Sequence, residues 1–421
     1  MNKRLMKKWL PAVAVLGLGV SLVACGSSDS DTASDASTAD TAAVTEDTMA
    51  STTDTAAPDA AVVGSTSWDT NFTPWKDGKP VNCKPETGPL KAAWIYVGPI
   101  NDGGWTQAHH EGLKAVQAKF GDQVVTTYKE NIPEGPQVLT TIDQLVKDGN
   151  TVIFGTSFGF QDAFVTAAGK YPNVCFEFET GYKSAANLSQ SYGAGEDGDY
   201  LAGMAAGAAS KTGKVGYLAP FAIPEVIRGA NAFTLGVRSI NPAATVQVVW
   251  TGTWFDPAKE RQAAESLISA GIDTISSAQD SPAAGEAAKA KNIPWVGYDS
   301  DQNANFPEVW LTATTYHWAV YEVPRIQQVL DGTWVAGDYY GGLDDGFVKM
   351  ATFGKLVSAD TQAKILAKQS ELAANSGSQF TGPLKAQDGT EKIAAGASAS
   401  YGDLMGMNYL VEGVLGDLPK S

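Results

Sequence analysis

Twice along this chain, short β-rich runs alternate with stretches of helical patterning, and this rhythm limits the fold more than any other feature. From Lys91 the runs KAAWIYVG, QVVTTYKEN, TVIFGTS, VCFEFET and LSQSYGA are spaced by segments long enough for helices. A helix rich in small residues, EDGDYLAGMAAGAASKTG, follows. The rhythm then restarts with KVGYLAPF, ATVQVVWTGTW, DTISSAQD and IPWVGYDSD, and WLTATTYHW comes last. Strands that alternate with helices build parallel sheets. Two such series predict an α/β protein of two lobes, residues 90–212 with 315–345 and residues 213–314 with 346–421.

The strand ends carry the chemistry. In open parallel sheets, ligands bind beyond the carboxyl ends of the strands, where loops and helix N-termini converge. Those ends hold Asp102 and Trp105, Phe158 and Phe160, Pro220 and Phe221, Trp254, Asp280, Asp299 and Asp301, then Tyr316, His317 and Trp318. Rings and carboxylates recur while Lys and Arg are nearly absent, Arg228 lying a turn or more into its helix. Any one of these residues could be a core ring or a helix cap. Their recurrence at strand after strand points instead to a cleft for a flat heterocycle with N–H donors, or for a cation, and not for an anion.

The N-terminus sets the compartment. Lys3, Arg4, Lys7 and Lys8 precede an apolar run from Trp9 to Val23 that ends in LVAC. That pattern predicts a lipoprotein signal peptide over residues 1–25, cleaved before Cys25, which then carries lipid. The alternative is an ordinary signal peptide that contains a cysteine. Residues 26–66 are Ser, Thr, Ala and acids without a base. Such a segment buries too little apolar surface to order itself, so it predicts a disordered tether with a reach of roughly 35 Å. The globular part is then lipid-anchored at the extracytoplasmic face of the cell envelope. The formal charge of −16 falls to about −20 once the signal's bases leave, which argues against nucleic acid or polyphosphate as a partner. Cys83 and Cys175 remain; an oxidising compartment would join them, the alternative being two free thiols.

Three motifs suggest other chemistry. GTSFG, residues 155–159, has the form of a nucleophile elbow with Ser157 as nucleophile, but no HGGG-type oxyanion loop accompanies it. GAGEDG, residues 193–198, has glycines at dinucleotide-binding spacing, yet Glu196, Asp197 and Asp199 would repel a pyrophosphate. His109 and His110 are adjacent and point about 100° apart on a helix, so they cannot chelate together. The reading is of no catalytic residue, no cofactor and no metal.

The stretches YVGPINDGGWTQAHHEGL, ENIPEG, TSFGFQD, TGYKSAAN, FAIPEVIRGANAFTLG, WFDPAKERQAAESLI, QDSPA, GYDSD and FTGPLKAQDG occur in one order between about Leu90 and Leu418. Together they resemble the basic membrane protein family of ABC-transporter substrate-binding lipoproteins. The resemblance implies a type I periplasmic-binding fold, two Rossmann-like lobes joined by hinge strands, with a purine nucleoside or nucleobase in the cleft and an ABC permease as partner. Members commonly show Asp-x-Ser-Phe-Asn-Gln in the first loop. Here DGGWTQ puts Trp105 in place of the stacking phenylalanine, with Thr106 for the asparagine and Gln107 retained. Phe221 takes the place of a second stacking ring, with Trp254 nearby, and Asp280, Asp299 and Asp301 match carboxylates that receive ribose hydroxyls or base N–H groups. Asp102, Phe158 and Trp318 complete the expected ligand set. The corner QDSPAAG lacks the family's glycines, which implies a trimmed ribose site and a nucleobase. Other readings are an aromatic cage for a choline-like quaternary amine, a hydrolase using Ser157, and a structural surface lipoprotein.

Overall fold

The computed structural model describes residues 71–419 except residue 77. The predicted signal peptide, the predicted lipidation site Cys25 and the predicted tether lie outside the described residues. The elements, in chain order, are β1 (Phe72–Pro74), β2 (Leu90–Ile95), α1 (Trp105–Phe120), β3 (Val124–Lys129), α2 (Pro136–Lys147), β4 (Val152–Gly155), α3 (Gln161–Lys170), β5 (Cys175–Glu179), β6 (Leu188–Gly193), α4 (Gly195–Ala209) and β7 (Lys214–Ala219). After these come α5 (Pro224–Ile240), β8 (Thr245–Trp250), α6 (Pro257–Ser269), β9 (Thr274–Ser277), α7 (Ala283–Lys291), β10 (Trp295–Tyr298), β11 (Trp310–Tyr316), α8 (Ala319–Asp331) and β12 (Gly337–Gly341). The chain closes with β13 (Val348–Met350), α9 (Ala359–Ala374), the β14–β15 hairpin (Leu384–Lys385, Glu391–Ile393), α10 (Tyr401–Met405) and β16 (Val414–Leu415).

Two seven-stranded sheets result, one ordered β1-β12-β6-β5-β4-β2-β3 and the other β13-β11-β10-β9-β7-β8-β16. All pairings are parallel except β1 with β12 and β11 with β13 at the sheet edges. Central strands such as VIFG and CFEFE are buried along their whole length, as parallel strands covered by helices on both faces must be. Apolar clusters flank both faces of each sheet. The two-lobed α/β architecture expected from the rhythm is therefore present.

In each sheet one strand is flanked on opposite sides by the two strands that follow it in sequence, β2 between β3 and β4 in the first, β7 between β8 and β9 in the second. These are the topological switch points, where the loops beyond the strands splay apart and leave a crevice. The loop after β2 leads to Trp105, and the loop after β7 leads to Glu225.

The chain passes between the sheets at β6 to β7, at β11 to β12 and at β12 to β13. Helix α4, assigned above to the first lobe, instead packs against α5 and β11 of the second. The reason is size: a Cβ on Gly236 would lie 1.9 Å from the Tyr200 carbonyl oxygen, and one on Gly203 2.1 Å from that of Phe233, so glycines let the two helix backbones touch. Strand β1 and the disulfide between Cys83 and Cys175, whose Cα atoms are 5.7 Å apart, tie the segment before β2 onto the first sheet.

Candidate ligand-binding site

A cavity lies between the lobes at the two switch points. The first lobe lines it with Trp105, Phe158, Tyr192, Ser157 and Thr180, and the second with Tyr217, Trp254, Tyr298, Tyr316 and the carboxylates of Asp199, Glu225 and Asp280. No lysine, arginine or histidine lines it. Trp105 opens α1 and is held by its own polar edge, Nε1 donating to the Thr156 carbonyl at 2.7 Å, with Trp318 set edge-on at 5.5 Å behind it. Its indole is fixed in orientation before any ligand arrives.

The lobes also touch each other. Trp254 Nε1 of the second lobe donates to Glu134 Oε1 of the first at 3.2 Å, and Gln302 Nε2 and Ser300 Oγ both donate to the Gly103 carbonyl. The cleft is closed in this structure. At the crossings, the hydroxyls of Tyr192 and Tyr316 are 2.8 Å apart.

The Bmp family, described as ABC transporter substrate-binding protein PnrA-like, matches residues 90–378. The chain belongs to this family. As a Bmp protein it is an extracytoplasmic substrate-binding component of an ABC transporter and not an enzyme. It is 41% identical over 333 residues to a purine-binding protein of Brucella abortus, covering 79% of this chain and 94% of that one. It is 32% identical over 367 residues to a putative ABC transporter glucose-binding protein of Haloferax volcanii, covering 86% and 88%. A solved solute-binding protein of Aeropyrum pernix shares the fold with a TM-score of 0.60 at 17% identity, covering 71% of this chain and 93% of that one.

Of the residues expected in the site of this Bmp protein, Trp105, Phe158, Trp254 and Asp280 line the cavity. The others lie elsewhere, each for a visible reason. Asp102 caps α1: its oxygens accept from the backbone N–H groups of Gly104, Thr106 and Gln107 at 2.9–3.0 Å, which leaves it committed to the helix. Asp301 is exposed and accepts from the backbone N–H of Asn303 and Thr352 at 2.9 Å. Phe221 stands outside the wall and braces Trp254, ring to ring at 5.0 Å. Trp318 is buried, stacked on His109 at 3.9 Å. Asp299 borders a neighbouring cleft beside α1. There it has a left-handed backbone, φ 58°, and a buried carboxylate with no hydrogen-bond partner.

The cavity's acids are out of their ordinary state. Burial pushes Asp199 up to about 7, against the opposing hydrogen bond from Thr314 Oγ1. Burial also lifts Glu225 to about 7, against the pull of nearby Arg228. Asp280 is raised well above the carboxylate range by burial first and by its neighbours Asp102 and Asp299 second, and no described side chain or backbone group bonds its carboxylate. Arg228 does not neutralise the cavity, because its Nε is paired with Glu196 Oε2 at 3.0 Å.

Sequence reading missed both Asp199, which it took for an acid at the start of α4, and Glu225, which it did not single out. The signal was an excess: GEDGD holds three acids where one cap suffices. Asp197 is spent on Ser376, Gly377 and Gln379, and Glu196 on Arg228 and Tyr340, so only Asp199 remains to face the cleft. The hydrolase motif has a similar outcome. Ser157 Oγ donates to Glu134 at 2.7 Å, and His317 borders the neighbouring cleft with Nε2 3.2 Å from Thr315 Oγ1, so no imidazole serves the serine.

Proposed function

We propose that this protein binds a purine nucleobase or nucleoside, adenine-like in its donors, and hands it to an ABC permease from a position anchored by lipid on Cys25. The observation that carries the reading is a closed interlobe cavity with rings on both walls, three carboxylates on one of them and, among the described residues, no cationic side chain. Flat π-faces stack on a base while carboxylates receive its ring N–H and exocyclic amine. Similarity to a purine-binding protein supports the same class. The corner around Asp280, where QDSPAAG lacks the glycines common in the family, favours the base alone.

Calorimetry with adenine, guanine, their nucleosides, choline and glucose tests the ligand class. Adenine or guanine is expected to bind most tightly, each more tightly than its nucleoside. Choline or glucose binding more tightly than every purine would replace this reading, by an aromatic cage in the first case and a sugar site in the second. For the anchor, Cys25→Ala is expected to abolish incorporation of labelled lipid; unchanged labelling would remove Cys25 from the proposal.

A further inference from the structure

Away from the cleft, the first lobe buries a second group of ligand-type side chains. We propose that His109 on α1, Glu179 at the end of β5 and Glu322 on α8 form a closed site for one divalent transition-metal ion of the zinc class. All three side chains are fully buried. One donor atom from each lies within 4.8 Å of the other two. His109 Nδ1 is 2.8 Å from Glu179 Oε2 and 4.0 Å from Glu322 Oε1. Zinc bonds nitrogen and oxygen at about 2.0–2.2 Å, so donors this close can converge on one ion after small side-chain shifts.

The polar atoms of the group are otherwise unserved. Both nitrogens of His109, both oxygens of Glu179 and Oε2 of Glu322 are buried without a hydrogen bond; Nδ1 and Glu179 are close enough to pair but not aligned to share a proton. The adjoining Tyr96 hydroxyl is buried and unbonded too. Leaving so many buried polar atoms without partners is costly, because each has given up its bonds to water for nothing in return.

Charge gives the same answer. Arg325, a buried cation of the same lobe, is committed to Glu177 at 2.7 Å, and its remaining donors go to Ser189, Gln328 and the Val335 carbonyl. A divalent cation with two carboxylates and a neutral imidazole makes the group neutral with each ligand in its metal-binding state. Protons alone would balance the charge but could serve at most one oxygen of Glu179 against His109 Nδ1, leaving its other oxygen and His109 Nε2 unbonded.

The surroundings are shaped for Glu322. Trp94 Nε1 donates to its Oε1 at 3.1 Å, as an outer partner that orients a ligating carboxylate does. Gly112 makes the room, since a Cβ there would sit 2.4 Å from Glu322 Oε2. The ion would pin α1, β5 and α8 together one helical turn behind Trp105, whose ring centre is 4.6 Å from that of His109. It therefore acts as a structural clamp under the binding ring, taken up as the lobe folds.

The test uses the processed full-length chain without a histidine tag, unfolded with chelator and refolded with zinc, cobalt or manganese, or with none. About one equivalent of ion is expected to survive dialysis, with a higher melting temperature than the metal-free sample, and cobalt is expected to give visible ligand-field bands. Glu322→Gln and His109→Gln are each expected to weaken retention at least about tenfold, while Glu111→Gln, on the exposed side of α1, retains the ion. If wild-type protein refolds to the same melting temperature without metal and takes up none of the three ions, the proposal is wrong and the acids are held protonated. Equal retention by Glu322→Gln and His109→Gln would also overturn it, because the ion would then sit elsewhere. Should either variant fail to fold, the wild-type stoichiometry still decides.

Discussion

Both lobes bring rings to the cavity, but all of its described acids come from the second, and the first adds no charge. Trp105, Phe158 and Tyr192 come from one sheet; Asp199, Glu225 and Asp280 come from the other. The two walls therefore have different tasks. Carboxylates need particular donors at particular points, so on the proposed reading the second lobe would set which ligand fits and how it is turned. A ring accepts any flat face, so the first lobe supplies contact area and benefits most when the cleft shuts. Similar lobes joined in one chain need not contribute in similar ways.

The division is tested most severely from the acid side. Asp280→Asn replaces half of an unbonded carboxylate's acceptor capacity with a donor, and is expected to weaken purine binding by on the order of 1.5–3 kcal/mol, the range for a hydrogen bond to a charged group. Calorimetry that finds less than a twofold change would leave the second lobe without its specificity role.

From the ring side the effect is smaller and more forgiving. Trp105→Ala is expected to weaken binding by at least about tenfold, from lost stacking and contact area, and Trp105→Phe to recover most of it. Equal affinities for the three proteins would return Trp105 to the core.

The smallest expected effect is on pH, where the acids alone should respond. Asp199 and Glu225, raised to about 7, are mostly protonated at pH 6 and mostly ionised at pH 8. A ligand that offers N–H donors prefers the ionised form, so affinity should fall by up to about tenfold per required acceptor from pH 8 to pH 6. Stability of the ligand-free protein should run the other way. Between about pH 4 and 7 the folded state holds protons that the unfolded state has released, so each group lowers stability as pH rises through that window. Titration calorimetry and melting curves over the same pH range check the two slopes; parallel trends would mean that these acids do not meet the ligand.

Much of this fold was legible because burial leaves a mark on composition. Parallel strands covered on both faces read as apolar runs, and their alternation with helices gave both lobes. The Cys83–Cys175 pairing followed from the count of cysteines left after Cys25, whereas the partner of β1 was not legible, since pairing across so many residues depends on where the sheets place them. In the site, Trp105 and Asp280 were found by their position just past a strand. Asp102 and Asp301 occupy the same kind of position and differ only in being claimed by backbone N–H groups, which sequence does not display. Asp199 and Glu225 reach the cavity from inside helices, so a rule about strand ends passed over them. His109, Glu179 and Glu322 lie far apart along the chain and meet only because α1, β5 and α8 share one side of the first sheet.

Three chain segments cross between the lobes, and the Tyr192–Tyr316 contact joins two of the places where they do so. Bodies held by several short straps resist sliding and twisting far more than they resist folding along the line of the straps. For a permease waiting on the other side of an encounter, the chemistry of the bound molecule is then hidden, and what it meets is an angle. Any occupant that lets Trp254 reach Glu134 and Gly103 meet Ser300 would present that same angle, so a wrong cargo has to be refused earlier, at the cavity walls.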